Sequence, residues 1–417
     1  MGLFFLFSNH ILGGKNMKTW SMSQMISPIV QQIPPSGIRK FFSLAEGNKD
    51  IISLGVGEPD FVTPEHVRAA SIRALELGRT SYTPNAGLLE LREEIANYLY
   101  NGFQVKYEPD NEVIVTVGGS EAIDLALRAL ITPGDEIIVP VPSYIAYSPI
   151  AQLNGGKVIE VETFAENHFK LTAEALRASL TPHSKVLIIN YPNNPTGAIM
   201  TYEDWLPIAK VVEDHNLVVI SDEIYAELTY DEKHVSFAAL PGMRERTLLI
   251  SGFSKAFAMT GWRIGYACGN YELIAAMLKI HQYTVMCAPI IGQVAAIEAL
   301  RNGLGEKDMM VESYAQRRRM FVKGLREIGL PCHEPRGAFY AFPSIAHTGL
   351  DSDAFAQKML VDAGVATVPG HVFGLGGEGF IRCSYASSVA RLTEALDRLD
   401  RCLNATGMAR KSGDGRH

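Results

Sequence analysis

The stretch Thr247-Leu-Leu-Ile-Ser251-Gly-Phe-Ser-Lys255-Ala-Phe-Ala-Met-Thr-Gly-Trp-Arg263-Ile-Gly265 carries an apolar run that ends in Ser-Gly, then a lysine, then an arginine eight residues on. A lysine among small residues at the end of a buried strand sheds hydration. Its pKa falls, and a nucleophilic amine becomes available near neutral pH. Arg263 offers a planar fork of donors suited to a phosphate. Together they suggest a cofactor that bears both a carbonyl and a phosphate, tethered to Lys255 as a Schiff base. The same residues are equally compatible with an ordinary strand and loop whose lysine is solvated and whose arginine is salt-bridged. The rest of the chain has to decide.

Four further apolar runs precede this one. Val113-Ile-Val-Thr-Val117 leads into Gly118-Gly119-Ser120-Glu121 and a helix expected over 122–130. Free backbone N–H groups and the helix dipole make such a turn an anion site, so a phosphate is expected on Gly119 and Ser120, opposite Arg263. Glu136-Ile-Ile-Val139 leads to Pro140-Val-Pro142-Ser-Tyr144, where an aromatic just past a strand can stack on a flat ring. Val186-Leu-Ile-Ile189 leads to Asn190-Tyr-Pro-Asn-Asn194-Pro-Thr-Gly197, a rigid turn that fixes an amide. Leu217-Val-Val-Ile220 leads to Ser221-Asp222-Glu-Ile-Tyr225. Five apolar runs separated by helical stretches read as an α/β fold with a mostly parallel central sheet and helices on both faces. Ligands lie at the carboxyl ends of such strands. Gly119, Tyr144, Asn194, Asp222 and Lys255 all share that address, which unrelated surface residues would not.

On these motifs the chain, from about Ser27 to Cys402, resembles the class I/II pyridoxal-phosphate-dependent aminotransferases of fold type I, in the branch of aspartate and aromatic aminotransferases. The stretch around Lys255 is similar to that family's S-x-x-K signature with a downstream G-x-R. One position departs: the family often carries a phosphate-binding serine three residues before the lysine, and Gly252 stands there, flanked by Ser251 and Ser254. Which of these hydroxyls reaches a phosphate is open from sequence; Ser254 is the candidate. The resemblance implies pyridoxal 5′-phosphate (PLP) on Lys255, with Asp222 against the pyridine nitrogen and Asn194 and Tyr225 on the 3′-oxygen. It also implies that Tyr144 stacks on the ring and that Arg382, in Phe380-Ile-Arg-Cys-Ser-Tyr385, takes the substrate's α-carboxylate beside Gly57 and Asn194. Tyr82, in Ser81-Tyr82-Thr-Pro-Asn-Ala-Gly87, would cross a homodimer interface to the partner's cofactor phosphate. Taken singly, Gly57 reads as turn chemistry, Tyr82 as a loop tyrosine, and Arg382 as an outward strand residue alternating with Ile381. In the mechanism implied, Lys255 moves the Cα proton as base and acid, because it is tethered beside the bond it breaks.

The 417 residues, 47% of them hydrophobic, can bury a large core and are expected to form two domains. Residues 54–290 would form the PLP-binding domain. Residues 291–417 would form a smaller α+β domain, joined by residues 17–53, with 1–16 disordered or a start-site extension before Met17. A net charge of −7 and the lack of a basic patch argue against nucleic acid. Five widely spaced cysteines without C-x-x-C indicate neither disulfides nor zinc and fit a reducing cytoplasm. Leu3-Phe-Phe-Leu-Phe7 is too short for a bilayer, which takes about 20 residues. Gly374-Leu-Gly376-Gly-Glu-Gly379 spells a dinucleotide fingerprint but precedes a strand with no helix after it, the reverse of the required context. An aminotransferase acting on amino acids and 2-oxo acids is therefore expected. The alternatives are a PLP lyase, of the carbon–sulfur or aminocyclopropane-carboxylate-forming kind, and a non-catalytic regulator of the same fold, which Lys255 disfavours.

Overall fold

The structure is a computed structural model that describes residues 20–35, 37, 48 and 50–408. The expected extension over 1–16, the start at Met17 and a helix expected over 38–45 lie outside the described residues. The chain divides into residues 1–34 and 35–417. The first unit holds a 3₁₀ turn, Met22–Gln24, and a short helix, Pro28–Gln32, opened by a proline at a position where a missing N–H is harmless.

In the second unit, β1 (Ile52–Ser53) is followed by the strands of the central sheet: β2 (Val113–Thr116), β3 (Glu136–Val141), β4 (Lys157–Glu162), β5 (Ser184–Ile189), β6 (Val218–Asp222), β7 (Thr247–Gly252) and β8 (Gly265–Cys268). Their order is β2-β8-β7-β6-β5-β3-β4. Strands β3 to β7 pair in parallel, and β8 runs antiparallel between β7 and β2. The Val/Ile runs suit a sheet covered on both sides, because successive side chains point to opposite faces. Ile137, Ile188, Ile220 and Ile250 pack with Ile123 and Leu127 of the helix Gly118–Leu130. Their neighbours Ile138, Leu187 and Val219 pack with Trp205 and Ile208 of the helix Tyr202–Asp214.

The remaining strands are β9 (Tyr340–Ala341), β10 (Val365–Ala366), β11 (Val368–Pro369) and β12 (Ile381–Ser384). They form an antiparallel sheet β11-β12-β9 and a parallel pair between β1 and β10. One core unites Ile52 and Leu54 with Phe321, Leu325, Phe355 and Leu396 from the helices Leu304–Glu327, Ser352–Ala363 and Val389–Ala405. The α/β fold with a smaller α+β part is therefore present. Among the described residues no helix is long and apolar enough to cross a membrane.

Two local expectations change. In sequence, Thr63-Pro64-Glu65 reads as an N-cap with proline at the first helical position, but Pro64 itself occupies the N-cap position of Glu65–Glu76. The Thr63 hydroxyl instead donates to the Ala258 carbonyl at 2.6 Å. The helix expected from residue 122 starts at Gly118. The Glu121 carboxylate accepts the Val117 N–H at 2.5 Å, so the glycines are drawn into the first turn rather than left as a loop.

Candidate active site

The carboxyl ends of β3, β5, β6 and β7 open on a cavity of about 670 Å³. Eleven of the twelve residues singled out in the sequence line it; Tyr82 does not, and is 81% exposed on its loop.

At one end lie Gly119, Ser120, Ser254 and Arg263. Gly119 and Ser120 belong to the first turn of Gly118–Leu130, whose N–H groups have no partners within the helix. Arg263 follows the 3₁₀ turn Thr260–Trp262 with φ +55°, and its Nη1 donates to the Thr260 carbonyl at 3.1 Å. A β-carbon on Gly118 would sit 2.5 Å from Arg263 Nη2, and one on Gly265 would sit 2.5 Å from the Gly118 carbonyl carbon. Only glycine lets guanidinium, helix end and β8 converge so closely. The departure at Gly252 has the same origin: a β-carbon there would lie 2.9 Å from Gly265 Cα and from the Ile264 carbonyl oxygen. Ser251 is turned beneath the sheet, donating to the Glu223 carbonyl at 3.2 Å, so the hydroxyl that faces the cavity is that of Ser254.

At the other end Asp222 is buried at the tip of β6. The Tyr147 hydroxyl donates to its Oδ2 at 2.6 Å, and the Ile224 N–H to its Oδ1 at 3.2 Å. Burial raises its pKa to about 6 against the pull of those two hydrogen bonds. Asn190 holds the neighbouring turn, donating to the Asp222 carbonyl at 2.9 Å and accepting the Asn194 N–H at 3.1 Å. Tyr225 and Tyr340 share a hydroxyl–hydroxyl bond of 2.8 Å. Tyr144 stands edge-on to the Tyr147 ring at 5.5 Å.

Between the two ends, Lys255 Nζ donates to the Gly57 carbonyl at 2.5 Å. Burial lowers its pKa to about 8; Glu58 works against that, while Arg382 and Arg263 add to it. The loop bearing Gly57 and Glu58 is stitched to the lysine loop by Thr260 Oγ1 to Glu58 Oε2 at 3.2 Å and by Trp262 Nε1 to Thr63 Oγ1 at 3.0 Å. Arg382 is 2% exposed, which overturns the reading of an outward strand residue. Its Nη1 donates to Asn194 Oδ1 at 2.9 Å and its Nη2 to the Gly55 carbonyl at 2.6 Å, over the Tyr340 face at 4.5 Å. Its Nε has no hydrogen-bond partner, and among the described residues no carboxylate pairs with it. A buried guanidinium without an anion is costly, so the site is built to be completed by an anionic ligand.

Tyr147, Asn190, Tyr340 and Glu58 also line the cavity and were missed in the sequence. Asn190 was legible in principle, since it opens the turn that ends in Asn194. Tyr147 and Tyr340 look like core aromatics. The Gly374–Gly379 loop lies between a 3₁₀ turn, Gly370–Phe373, and β12, and does not line the cavity.

The residues fit PLP. First-turn helix N–H groups beside an arginine suit its phosphate, a buried carboxylate with no ion pair among the described residues suits a protonated pyridine, and an amine with a lowered pKa suits its aldehyde. The family description "Aminotransferase class I and II" matches residues 49–399. The "Putative aminotransferase YugH" of Bacillus subtilis is 55% identical over 385 residues, 92% of this chain and 100% of that one. An "Aspartate aminotransferase" of Pyrococcus abyssi is 45% identical, covering 89% of this chain and 96% of the relative. The solved aromatic aminotransferase from Pyrococcus horikoshii superposes with a TM-score of 0.85 at 42% identity, covering 89% of this chain and 100% of that one. The chain belongs to the class I and II aminotransferases. It is an aminotransferase that uses pyridoxal 5′-phosphate.

Proposed function

We propose that this aminotransferase moves an amino group from an aromatic L-amino acid or aspartate to a 2-oxo acid such as 2-oxoglutarate, as a cytoplasmic homodimer. The observation that carries the reading is Arg382, a buried cation without a carboxylate partner among the described residues, in the same cavity as Lys255. Relatives named for aspartate and for aromatic amino acids support the donor choice. With relatives named as aminotransferases, the lyase alternative is not favoured. The division into residues 54–290 and a small domain of 291–417 with 17–53 belongs to the same proposal.

When bound, PLP supplies an aldehyde and a ring that accepts the electron pair released at a substrate's Cα. Arg263, Ser254 and the N–H groups of Gly119 and Ser120 would hold its phosphate. Asp222 would face the ring nitrogen, held there by Tyr147 and the Ile224 N–H. Tyr144 would lie against the ring. Asn194 spends its carbonyl oxygen on Arg382, which leaves its amide N–H to donate to the 3′-oxygen beside Tyr225. Arg382 grips the α-carboxylate with its planar fork, next to Gly57. Lys255 Nζ, on one flexible side chain in the same cavity, would take up the Cα proton as base and give it back as acid. The test is a panel of amino donors against 2-oxoglutarate: aromatic amino acids and aspartate should show the highest kcat/KM. Release of pyruvate or a thiol without amino-group transfer would sink the proposal.

For assembly, Tyr82 is proposed to reach the cofactor phosphate of a partner subunit across an isologous interface. Its exposure on a loop outside its own cavity supports this. Tyr82→Phe removes one hydrogen bond to a charged oxygen, about 1.5–3 kcal/mol, so PLP affinity should fall roughly ten- to a hundredfold. Mixing Lys255→Ala with Tyr82→Phe subunits should raise activity, because one site of each hybrid dimer then carries neither lesion. A monomer at working concentration, or exchange without recovery, counts against the arrangement.

A further inference from the structure

Next to Asp222, on the opposite face of the sheet, lies a second buried carboxylate to which the mechanism gives no task. Glu223 is 2% exposed. Strand alternation sends Asp222 towards the cavity and Ser221 and Glu223 to the other side. There the Glu223 carboxylate is fully engaged. Its Oε1 accepts from Ser221 Oγ at 2.9 Å and from Ser236 Oγ at 2.8 Å, and its Oε2 meets His234 Nε2 at 2.8 Å.

The backbone of the same residue is tied as well. Its N–H donates to the Ile250 carbonyl at 2.8 Å, carrying the β6–β7 ladder one residue past β6. Its carbonyl accepts the Ala226 N–H at 2.9 Å and Ser251 Oγ at 3.2 Å. The 234–236 segment is in turn anchored: Trp205 Nε1 donates to the Val235 carbonyl at 3.2 Å, and the His234 ring stands edge-on to Phe103 at 5.6 Å. The short turn that presents both Asp222 and Tyr225 to the cavity is thus bolted from beneath, to β7 and to two helices.

Stability alone does not explain a carboxylate at this place. Exchanging a buried ionic cluster for apolar side chains of similar volume is often neutral or stabilising, whereas a hydrogen-bonded cluster fixes one geometry. We propose that Glu223, clamped by His234, Ser221 and Ser236, is a positioning residue that holds Asp222 and Tyr225 in register with the cofactor ring. The inference rests on the reading that Asp222 faces the ring nitrogen.

The test compares Glu223→Leu, Glu223→Gln and Asp222→Ala in the PLP-loaded protein. The readouts are the PLP dissociation constant, the visible circular dichroism of the bound cofactor, and kcat and KM separately. Glu223→Leu should fold, yet lose at least about half of the visible dichroism. It should bind PLP roughly tenfold more weakly and lower kcat with little change in KM, as loss of two or three anchoring hydrogen bonds implies. Glu223→Gln retains an acceptor for both serines and a donor for His234, and should recover to within about threefold of the parent. Native dichroism and affinity in Glu223→Leu would overturn the proposal. So would equal damage in Glu223→Gln, since charge and not position would then be at work. If Glu223→Leu does not fold, Ser236→Ala takes one bond from the clamp and should shift dichroism and affinity the same way, about two- to threefold; no shift overturns the proposal. If Asp222→Ala leaves the cofactor signature unchanged, the reading of Asp222 fails; if only Glu223→Leu is silent, this inference alone fails.

Discussion

Lys255→Ala is expected to take up PLP and to turn over almost nothing. Arg263, Ser254 and the helix end at Gly119 and Ser120 stay in place, so the phosphate keeps its grip. Loss of general acid–base catalysis alone costs about 10²–10⁴-fold, and loss of the tethered amine that exchanges with the substrate adds to this. In the parent protein, borohydride should fix a pyridoxyl label on Lys255. The amine, with its pKa lowered to about 8, reacts with an aldehyde only when neutral, so loading of the cofactor-free protein should quicken as pH rises through about 8 and then level off. Near-native turnover in the variant, a label mapped to another lysine, or loading that slows as pH rises from 7 to 9 would defeat the assignment.

Asp222→Ala should produce the second-largest loss. The ring nitrogen would lose the charge that keeps it protonated, and the Tyr147 hydroxyl and Ile224 N–H would lose their acceptor. Removing a group that stabilises charge in the transition state typically costs about 10²–10³-fold, and a fall of that size in Cα deprotonation, measured by loss of substrate deuterium, is expected. PLP should bind more weakly. An N-methylated cofactor carries a permanent charge on that nitrogen and should restore part of the rate. Unchanged deprotonation in the plain variant would show that Asp222 does not serve the ring.

Much of this site could be read from the chain because the chemistry sits where periodicity breaks. Runs such as Val186–Ile189 and Leu248–Ile250 announce strands, and Asn194, Asp222 and Lys255 follow them within a few residues. What escaped depends on approaches between distant segments. Tyr147 bonds Asp222 across 75 residues and looks in sequence like one more core aromatic on a short helix. The glycine at 252 is explained only by β8 lying antiparallel to β7, which places Gly265 opposite it. That reversal of one strand leaves no mark in the apolar pattern. Thr63 resembles a helix cap from its neighbours, but its hydroxyl donates a hydrogen bond to a carbonyl 195 residues away.

The hydrogen bond from Lys255 to the Gly57 carbonyl ties together two loops 198 residues apart in the chain. An ammonium on a four-carbon tether is present at that oxygen at a high effective concentration, as a ligand the protein carries for itself. The outer contacts from Thr260 to Glu58 and from Trp262 to Thr63 hold the same loop without the amine. The loop is thus guyed at more points than the lysine supplies, and replacing Lys255 slackens one line without letting the loop drift.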